Sequence, residues 1–195
     1  MDREAWNERY RAVPLLWDID PGPFLGEQLD GVTPGVALDL GAGEGRNSIW
    51  LALHGWRVTA VDFASVALER GAALAEAAGV GDSIRWVEED LTAYCPEPGQ
   101  ALELVLCMFL HLLADERRAL LRRTASALRP GGSMLVVGYD TANADRGGEG
   151  MRDRARLFTV GDIADDLAGL CAVDGYQLLI DDDVDAIARG VRTAS

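Results

Sequence analysis

Lysine is absent from this chain. All 18 basic residues among the 195 are arginine, against 32 aspartates and glutamates, and the formal net charge is −14. A chain this acidic is repelled by phosphate backbones and anionic lipid surfaces. Neither a nucleic acid nor a membrane is therefore expected as a partner. Cysteine is scarce too. Cys95, Cys107 and Cys171 form no C-x-x-C pair, which predicts a reducing, cytoplasmic location and no metal site.

Long apolar runs are also missing. The most apolar stretch, residues 102–114, contains Glu103 and His111, so no membrane span is expected. The amino-terminal residues MDREAW are charged, which argues against a signal peptide. A length of 195 residues with 49% hydrophobic content suits one domain covering residues 1–195.

A glycine-rich turn organises the rest of the chain. Residues 36–40 form a short apolar run that predicts a buried parallel strand, and a helix is predicted over residues 47–54. Between them Gly41, Gly43 and Gly45 alternate. A strand, a glycine turn and a helix in this order make a nucleotide-sized cradle at the end of the strand. A second strand over residues 57–61 leads to Asp62, whose carboxylate is placed to accept ribose hydroxyls.

The glycine spacing separates two ligand classes. A dinucleotide motif, G-x-G-x-x-G, needs a third glycine where this chain has Arg46. Asp39 beside the turn would repel a pyrophosphate and suit a ligand with a cationic amine and sulfonium. The pattern resembles that of the class I S-adenosylmethionine-dependent methyltransferases. A tight turn in another α/β protein is the alternative, and NAD binding would indicate a dehydrogenase.

A narrower resemblance rests on residues 38–48, LDLGAGEGRNS, and on W-x-x-R-Y from Trp6 to Tyr10. Both are similar to the tellurite-resistance, TehB-like, branch of small-molecule methyltransferases. The resemblance implies a Rossmann-like α/β fold with a mostly parallel seven-stranded sheet, helices on both faces, and S-adenosylmethionine as cofactor. The acidic carboxyl-terminal segment departs from that branch, because it lacks the family's histidine and basic last strand. The cofactor-binding candidates are Asp39, Gly41, Ala42, Gly43, Arg46, Asn47, Asp62, Phe63, Asp90, Leu91 and Cys107.

The remaining elements are predicted from periodicity and turn residues. Helices are expected over residues 2–12, 24–29, 66–78, 115–128 and 159–170, and strands over residues 84–87, 102–108, 133–139, 176–180 and 186–191. Ser65 and Thr159 are expected to cap their helices, and Arg117 to face solvent. Residues 140–157 indicate a mobile loop that would collect anions if Arg152, Arg154 and Arg156 pointed inward.

The sequence indicates the residues that would bind the acceptor less clearly than those that would bind the cofactor. Residues 1–30, with Trp6 and Trp17, are either core packing at the sheet edge or a helical lid over cofactor and substrate. His111 is a candidate general base but is equally consistent with a packed histidine, and Tyr10 is a second catalytic candidate. Met108 and Asp140 are expected beside the substrate. Glu89 competes with Asp90 for adenine, and His54 is read as a helix-end residue without chemistry.

The predicted reaction is in-line transfer of a methyl group to a small-molecule acceptor, accelerated mainly by positioning and water exclusion. A soft thiolate, a reduced chalcogen or an oxyanion needs little help from a base, whereas a protonated oxygen or nitrogen would need His111. A pathway-specific O-, N- or C-methyltransferase and a non-catalytic S-adenosylmethionine-binding module stay open. A monomer or a homodimer is expected.

Overall fold

The computed structural model describes residues 2–17, 21, 23–146, 150–180 and 182–194. Residues 1, 18–20 and 22 of the predicted lid, and residues 147–149 of the predicted loop, lie outside the described part. The chain divides into two compact units, Met1–Ala93 and Tyr94–Ser195. The single domain over residues 1–195 stays a prediction.

The first unit contains a three-stranded parallel sheet. Its strands are β1 (Val36–Leu40), β2 (Arg57–Asp62) and β3 (Ile84–Glu88), and β2 pairs with both others. The helices are α1 (Arg3–Arg11), α2 (Pro23–Gln28), α3 (Arg46–Leu53) and α4 (Ser65–Ala77). Four of the five β1 residues are buried, as expected for a strand covered on both faces. These elements lie within two residues of their predicted bounds.

The second unit contains four strands in the order β4-β5-β7-β6. They are β4 (Leu102–Met108), β5 (Leu128–Tyr139), β6 (Cys171–Ile180) and β7 (Asp183–Arg192), with helices α5 (Ala114–Ala125) and α6 (Val160–Asp166). β5 runs parallel to β4, while β7 is antiparallel to β5 and β6. Parallel pairing with one terminal hairpin matches the predicted mostly parallel α/β class.

The prediction was wrong at the end of α5. It carried the helix to Leu128 and began the next strand at Ser133, but Leu128 already pairs with Leu102 in the sheet. The register then shifts, and pairing resumes between Leu104 and Ser133. Residues 129–132, which read as a helix stop followed by a loop, therefore form an irregularity inside β5.

The prediction of a short last strand was also wrong. β6 and β7 are each ten residues long and pair from Cys171 to Ile180. Asp174, Gly175 and Asp185 lowered the apparent strand propensity of this region, and cross-strand pairing outweighs such local preferences. The structure therefore supplies the long carboxyl-terminal strand that the acidic sequence seemed to lack.

Two cap assignments had different outcomes. Thr159 caps α6, since its hydroxyl accepts from the Asp162 amide while the Asp162 carboxylate accepts from Thr159. Ser65 is not a cap, because Ala64 occupies that position without a side-chain bond. Within the described residues, no helix has the length and apolar character needed to cross a bilayer.

Candidate functional site

The glycine turn between β1 and α3 uses its backbone amides internally. The amides of Gly41 and Ala42 donate to the carbonyl of Val61 at 2.9 and 3.1 Å, and that of Gly45 donates to Ala42 at 2.9 Å. The Gly43 amide donates to Asp62 Oδ2 at 2.9 Å. A phosphate site at a helix start needs free N–H groups, and these four are already engaged.

Two of these glycines hold conformations and spaces that other residues could not. Gly43 and Gly45 have φ of 56° and 80°, in the left-handed region that costs other residues about 1–2 kcal/mol. A Cβ at Gly43 would lie 2.9 Å from the Tyr10 hydroxyl, and one at Gly45 would overlap the ring of Trp86. The turn is therefore a close-fitting backbone cradle, as the glycine pattern predicts.

Asp62 ends β2 directly beside this turn. Its Oδ2 accepts from Gly43, and its Oδ1 accepts from the Ala64 amide at 2.9 Å. Burial raises the pKa of this carboxyl, and the backbone hydrogen bonds partly oppose that rise. A carboxylate has about four acceptor positions, so two amides leave capacity for a pair of hydroxyls. Phe63, the next residue, packs against Tyr10 and Ala64.

Asp39 lies near the end of β1, almost completely buried. The Ser48 hydroxyl donates to its Oδ2 at 2.7 Å. Desolvation raises the pKa of Asp39 to about 6, although Ser48 and the charge of Arg46 pull it down. Asp39 therefore still carries a negative charge at neutral pH. Ser48, which fixes this carboxylate, was missed as a functional residue in the sequence because serine is common on helices.

Asn47 offers a further open position at the start of α3. The side chain is buried, and its Oδ1 has no hydrogen-bond partner among the described residues. An unsatisfied buried acceptor is costly, and a ligand with an N–H or O–H group would satisfy it. The cradle, the two buried acids and this acceptor fit a cationic adenosyl cofactor.

The predicted lid packs over the same turn. Tyr10 on α1 is 4% exposed and lies in a cluster with Ala64 and Ala67, against which Trp6 packs. Burial raises the pKa of Tyr10 to about 12, and the charges of Asp62 and Glu44 add to the effect. Both the core and the lid interpretations allow this packing of Tyr10, and its catalytic role stays a prediction. Trp17, by contrast, is 44% exposed, and a lid role for it stays a prediction.

Glu44 is a residue that sequence reasoning missed. It is buried within the glycine turn, and its carboxylate accepts from the Leu16 amide at 2.9 Å and from Arg70 at 3.2 Å. Arg70 also donates to the carbonyl of Val13 at 2.7 Å. These bonds tie residues 13–16 to the turn. Sequence reasoning could not detect these bonds, because a glutamate between glycines reads as solvated.

Asp90 and Leu91 follow β3. Asp90 is exposed, and its Oδ1 accepts from the amide and hydroxyl of Thr92 at 2.8 Å, which lowers the pKa of Asp90. Leu91 is buried. The Asp90 carboxylate therefore remains ionised and holds a turn, which is compatible with its predicted contact to adenine. Glu89 is partly buried and stays a competitor.

In the second unit, β4 delivers Cys107 and Met108 to its carboxyl end, both buried. Phe109 follows with φ of 55°, the one non-glycine positive φ in the described residues. Asp140, at the end of β5, is buried, and its Oδ1 accepts from the Ala142 amide at 2.8 Å. Its Oδ2 has no partner among the described residues. Backbone strain and unsatisfied polar atoms of this kind concentrate at functional sites.

His111 lies in the same region. Both ring nitrogens are buried and unpartnered among the described residues, and the ring stacks on Tyr139 with centroids 5.2 Å apart. Desolvation lowers the pKa of His111 to about 4, so the imidazole is neutral near pH 7. His54, by contrast, lies at the end of α3 with Nδ1 2.7 Å from the Trp50 carbonyl oxygen, as the helix-end interpretation predicted.

The three arginines that would form an anion-collecting edge if they pointed inward all have partners among the described residues. Arg152 pairs with Asp183 at 2.6 Å, Arg154 with Asp145 at 2.7 Å, and Arg156 donates to the His111 carbonyl at 2.7 Å. Residues 141–145 form a short 3-10 helix, in which buried Asn143 exchanges hydrogen bonds with the backbone of Val184. The arginines hold this segment in place. Its mobility stays a prediction.

Arg117 was expected in solvent, and this is wrong. It is buried, its Nε donates to Asp166 at 2.8 Å, and its guanidinium lies over the Phe158 ring at 5.3 Å. Arg118 donates to the other carboxylate oxygen at 2.9 Å. A helical charge reads as exposed unless its partner is known, and Asp166 lies 49 positions away. No group of His, Cys, Asp and Glu in the described residues is arranged as metal ligands.

Comparison with known proteins shows which proteins this chain is similar to. Residues 37–132 match the family model described as "Methyltransferase domain". The matched segment is similar to methyltransferase domains. It contains β1 to β4 and the whole glycine turn. The predicted enzyme class and the predicted cofactor both agree with the match and with the structures below.

One curated relative is the tRNA 5-carboxymethoxyuridine methyltransferase of Escherichia coli K12. It is 29% identical over 106 residues, which are 53% of this chain and 40% of that protein. The chain thus spans less than half the length of this relative. This similarity does not assign the chain to the tellurite-resistance branch, and that assignment stays a proposal.

Solved structures agree on the fold over nearly the whole chain. The N-methyltransferase NodS of Bradyrhizobium japonicum, in complex with S-adenosylhomocysteine, has a TM-score of 0.75 at 18% identity and covers 98% of both chains. A putative O-methyltransferase of Nostoc punctiforme has a TM-score of 0.76 at 17% identity, over 96% of this chain and 60% of its own. The predicted Rossmann-like, seven-stranded, mostly parallel fold is confirmed.

Proposed function

We propose that the protein is an S-adenosylmethionine-dependent methyltransferase that acts on a small-molecule acceptor. The observation that carries the proposal is the charge and hydrogen bonding around the glycine turn. Four turn amides are engaged internally, while Asp39 and Asp62 lie buried beside them and are held by uncharged donors. Such a cradle disfavours a phosphate and favours a ligand that carries positive charge.

Asp39, Gly41, Ala42, Gly43, Arg46, Asn47, Asp62 and Phe63 are the residues we assign to the cofactor, with Asp90 and Leu91 at adenine and Cys107 as a further contact. Asp62 would accept the ribose hydroxyls with the acceptor positions that Gly43 and Ala64 leave free. Asn47 Oδ1 would accept a hydrogen bond from the ligand's ammonium group. When bound, the cofactor supplies an electrophilic methyl group on a sulfonium.

The acceptor's chemistry belongs to the same proposal. The similarity to the TehB-like branch supports a soft thiol, chalcogen or oxyanionic acceptor. The relatives described as N- and O-methyltransferases support an oxygen or nitrogen acceptor. In either case the chain's contribution is to orient the acceptor and exclude water. A cytoplasmic monomer or homodimer is part of the proposal, and the scarce, unpaired cysteines support that compartment.

A tRNA acceptor is a second candidate, because the curated relative modifies tRNA. The net charge of −14 opposes it, since binding a nucleic acid requires basic residues to neutralise phosphates. Incubation with labelled S-adenosylmethionine and either total tRNA or a small-molecule extract separates the two. Label in the tRNA fraction alone would replace the small-molecule proposal.

Calorimetric titration tests the cofactor assignment. We expect S-adenosylmethionine to bind the full chain one to one and NAD to give no heat. Asp62→Asn should weaken binding by about 10- to 100-fold, because a hydrogen bond to a charged group contributes about 1.5–3 kcal/mol. Asp82→Asn, at an exposed carboxylate of the same unit, is the matched control and should change little. Binding of NAD, or equal losses in both variants, would overturn the assignment.

A further inference from the structure

A cluster of polar groups in the second unit contains atoms that form no hydrogen bond within the described residues. It is centred on Tyr139 at the end of β5, whose ring stacks on His111 and lies edge-on to Phe109 with centroids 5.5 Å apart. In the β5–β7 ladder Tyr139 is paired with Asp185. Burial and the nearby charges of Asp183 and Asp185 raise the pKa of Tyr139.

Two of these residues carry orphaned atoms. Asp185 is 4% exposed and its Oδ1 has no hydrogen-bond partner among the described residues. Neither ring nitrogen of His111 has one there. The neighbouring Asp183 differs, because Arg152 and the Gly150 amide occupy its oxygens. Buried polar groups without partners cost about 1–3 kcal/mol each, so a ligand that satisfies them binds with a gain.

The backbone supports the same location independently. Phe109, two residues before His111, holds φ of 55°, a conformation that is costly for a bulky aromatic residue. The Phe109 amide donates to the carbonyl of Val137 at 2.7 Å, and Arg156 donates to the His111 carbonyl at 2.7 Å. The main chain of His111 is thus fixed while its ring nitrogens stay open.

We propose that His111, Tyr139 and Asp185 form the acceptor-recognition patch, and that the acceptor presents a protonated oxygen or nitrogen, a hydroxyl or an amine. The inference rests on the proposed methyltransferase function and narrows it to this acceptor class. A neutral imidazole and a carboxylate, each with an open acceptor position, recognise hydrogen-bond donors. Tyr139 provides a flat apolar surface beside them, which suits a planar acceptor. A thiolate has no proton to donate, so it leaves Asp185 unsatisfied, and the negative charge of that carboxylate repels it.

The proton follows from this arrangement. The acceptor's O–H or N–H hydrogen-bonds to a ring nitrogen of His111, and the heteroatom forms its bond to the methyl carbon. The carbon–sulfur bond of the donor breaks at the same time, and its electron pair stays on sulfur. The O–H or N–H becomes strongly acidic as the new bond forms, so even a weakly basic imidazole takes the proton and passes it to water. Asp185 orients the acceptor through a second hydrogen bond.

Nitrogen NMR of labelled histidine tests the patch without turnover. The chain has two histidines, so His54→Gln leaves a single signal pair, from His111. The probes are phenol, aniline and thiophenol at pH 8, which have similar shape but differ in the atom offered. We expect phenol and aniline to shift the His111 signals saturably and thiophenolate to leave them unchanged. A shift by thiophenol alone, or by none of the three, would overturn the proposal.

Variants separate recognition from structure. Asp185→Asn should weaken the phenol or aniline effect about tenfold, whereas Asp174→Asn, an exposed carboxylate on β6, should leave it intact. The His111 environment includes Tyr139, Arg156 and, around Tyr139, Asp183, Asp185 and Arg152, so we expect its ring to stay neutral from pH 8 to pH 5. Protonation of His111 near pH 6.5, as for a solvated histidine, would contradict the burial of its unpartnered ring nitrogens.

Turnover supplies the second readout. The assay uses an acceptor that the wild-type chain methylates. For a hydroxyl or an amine, His111→Asn should lower kcat about 100-fold and change KM much less. Equal turnover by His111→Asn and the wild type would overturn the proposal that His111 takes the acceptor's proton. S-adenosylmethionine binding is measured separately. If it fails while the NMR shifts appear, the proposed function is wrong and the patch stands as a donor-binding site.

Discussion

Buried acids are held by two opposite kinds of donor, and Asp39 and Asp62 of the first unit differ in this respect from Asp166 of the second. In the first unit, Asp62 accepts from two backbone amides and Asp39 from the Ser48 hydroxyl, and none of these donors is charged. In the second unit, Asp166 is fully buried between Arg117 and Arg118. An acid held by neutral donors keeps its negative charge for a ligand, whereas an acid held by arginines is a structural link. Burial alone therefore does not identify a functional carboxylate; the charge of its donors does.

The largest expected effect is on the structural acid. Arg117→Met should lower the free energy of unfolding by about 3–5 kcal/mol, because Asp166 would keep one partly exposed partner for a fully buried charge. Urea unfolding at pH 7 measures the change. Arg118→Met is the matched control and should cost less than about 1 kcal/mol, since its side chain is 52% exposed. Equal losses in both variants would remove the distinction drawn for Asp166.

Ionisation of Asp39 should have the opposite effect on the free energy of unfolding. The pKa of Asp39 is raised from 3.8 to about 6 in the folded chain. Its contribution to stability is therefore complete below pH 3.8 and is lost as pH rises through 6. That loss amounts to about 3 kcal/mol. Asp39→Asn, which can still accept from Ser48, should abolish this pH dependence and stabilise the chain at pH 7.

Unfolding free energies measured from pH 4 to pH 7 check this expectation, with Asp82→Asn as an exposed control. Destabilisation of Asp39→Asn at pH 7 would mean that the ionised carboxylate adds to stability. Asp39 would then resemble Asp166, and the contrast between the units would disappear.

The smallest effect concerns the glycine turn. Gly43→Ala and Gly79→Ala both place a Cβ at positive φ, but the former lies 2.9 Å from the Tyr10 hydroxyl and the latter meets nothing. We expect each to cost about 1 kcal/mol from the backbone, with about 1 kcal/mol more for Gly43→Ala from crowding. Combining Gly43→Ala with Tyr10→Phe should recover that extra cost. No recovery would show that Tyr10 does not cover the turn.

The same contrast explains how far the sequence could be read. The first unit was predictable because β1, β2, the glycines between them and Asp62 all lie within residues 36–63, whose spacing carries the chemistry. The second was less so, because its decisive pairs are distant in sequence: Arg117 with Asp166, Asn143 with Val184, and Tyr139 with Asp185. Periodicity cannot report such pairs, and β6 and β7 acquire their length from pairing with each other.

Individual site residues follow that division. Gly43 and Asp62 lie where the pattern placed them, and Glu44 and Ser48 were missed because their role depends on burial. His111 was a candidate from its position after β4; its two ring nitrogens are buried without partners among the described residues, and its catalytic role stays a prediction. Asp185 and Tyr139 had no sequence signal, since an acidic segment near the carboxyl end reads as solvated.

The most direct test of the central claim is a crystal structure of the full chain grown with S-adenosylhomocysteine. We predict the adenosyl group at the glycine turn, with both ribose hydroxyls within hydrogen-bond distance of Asp62 and the amino acid part near Asn47. A turn without the ligand at saturating concentration, or a diphosphate bound to the amides of residues 41–45, would contradict the account.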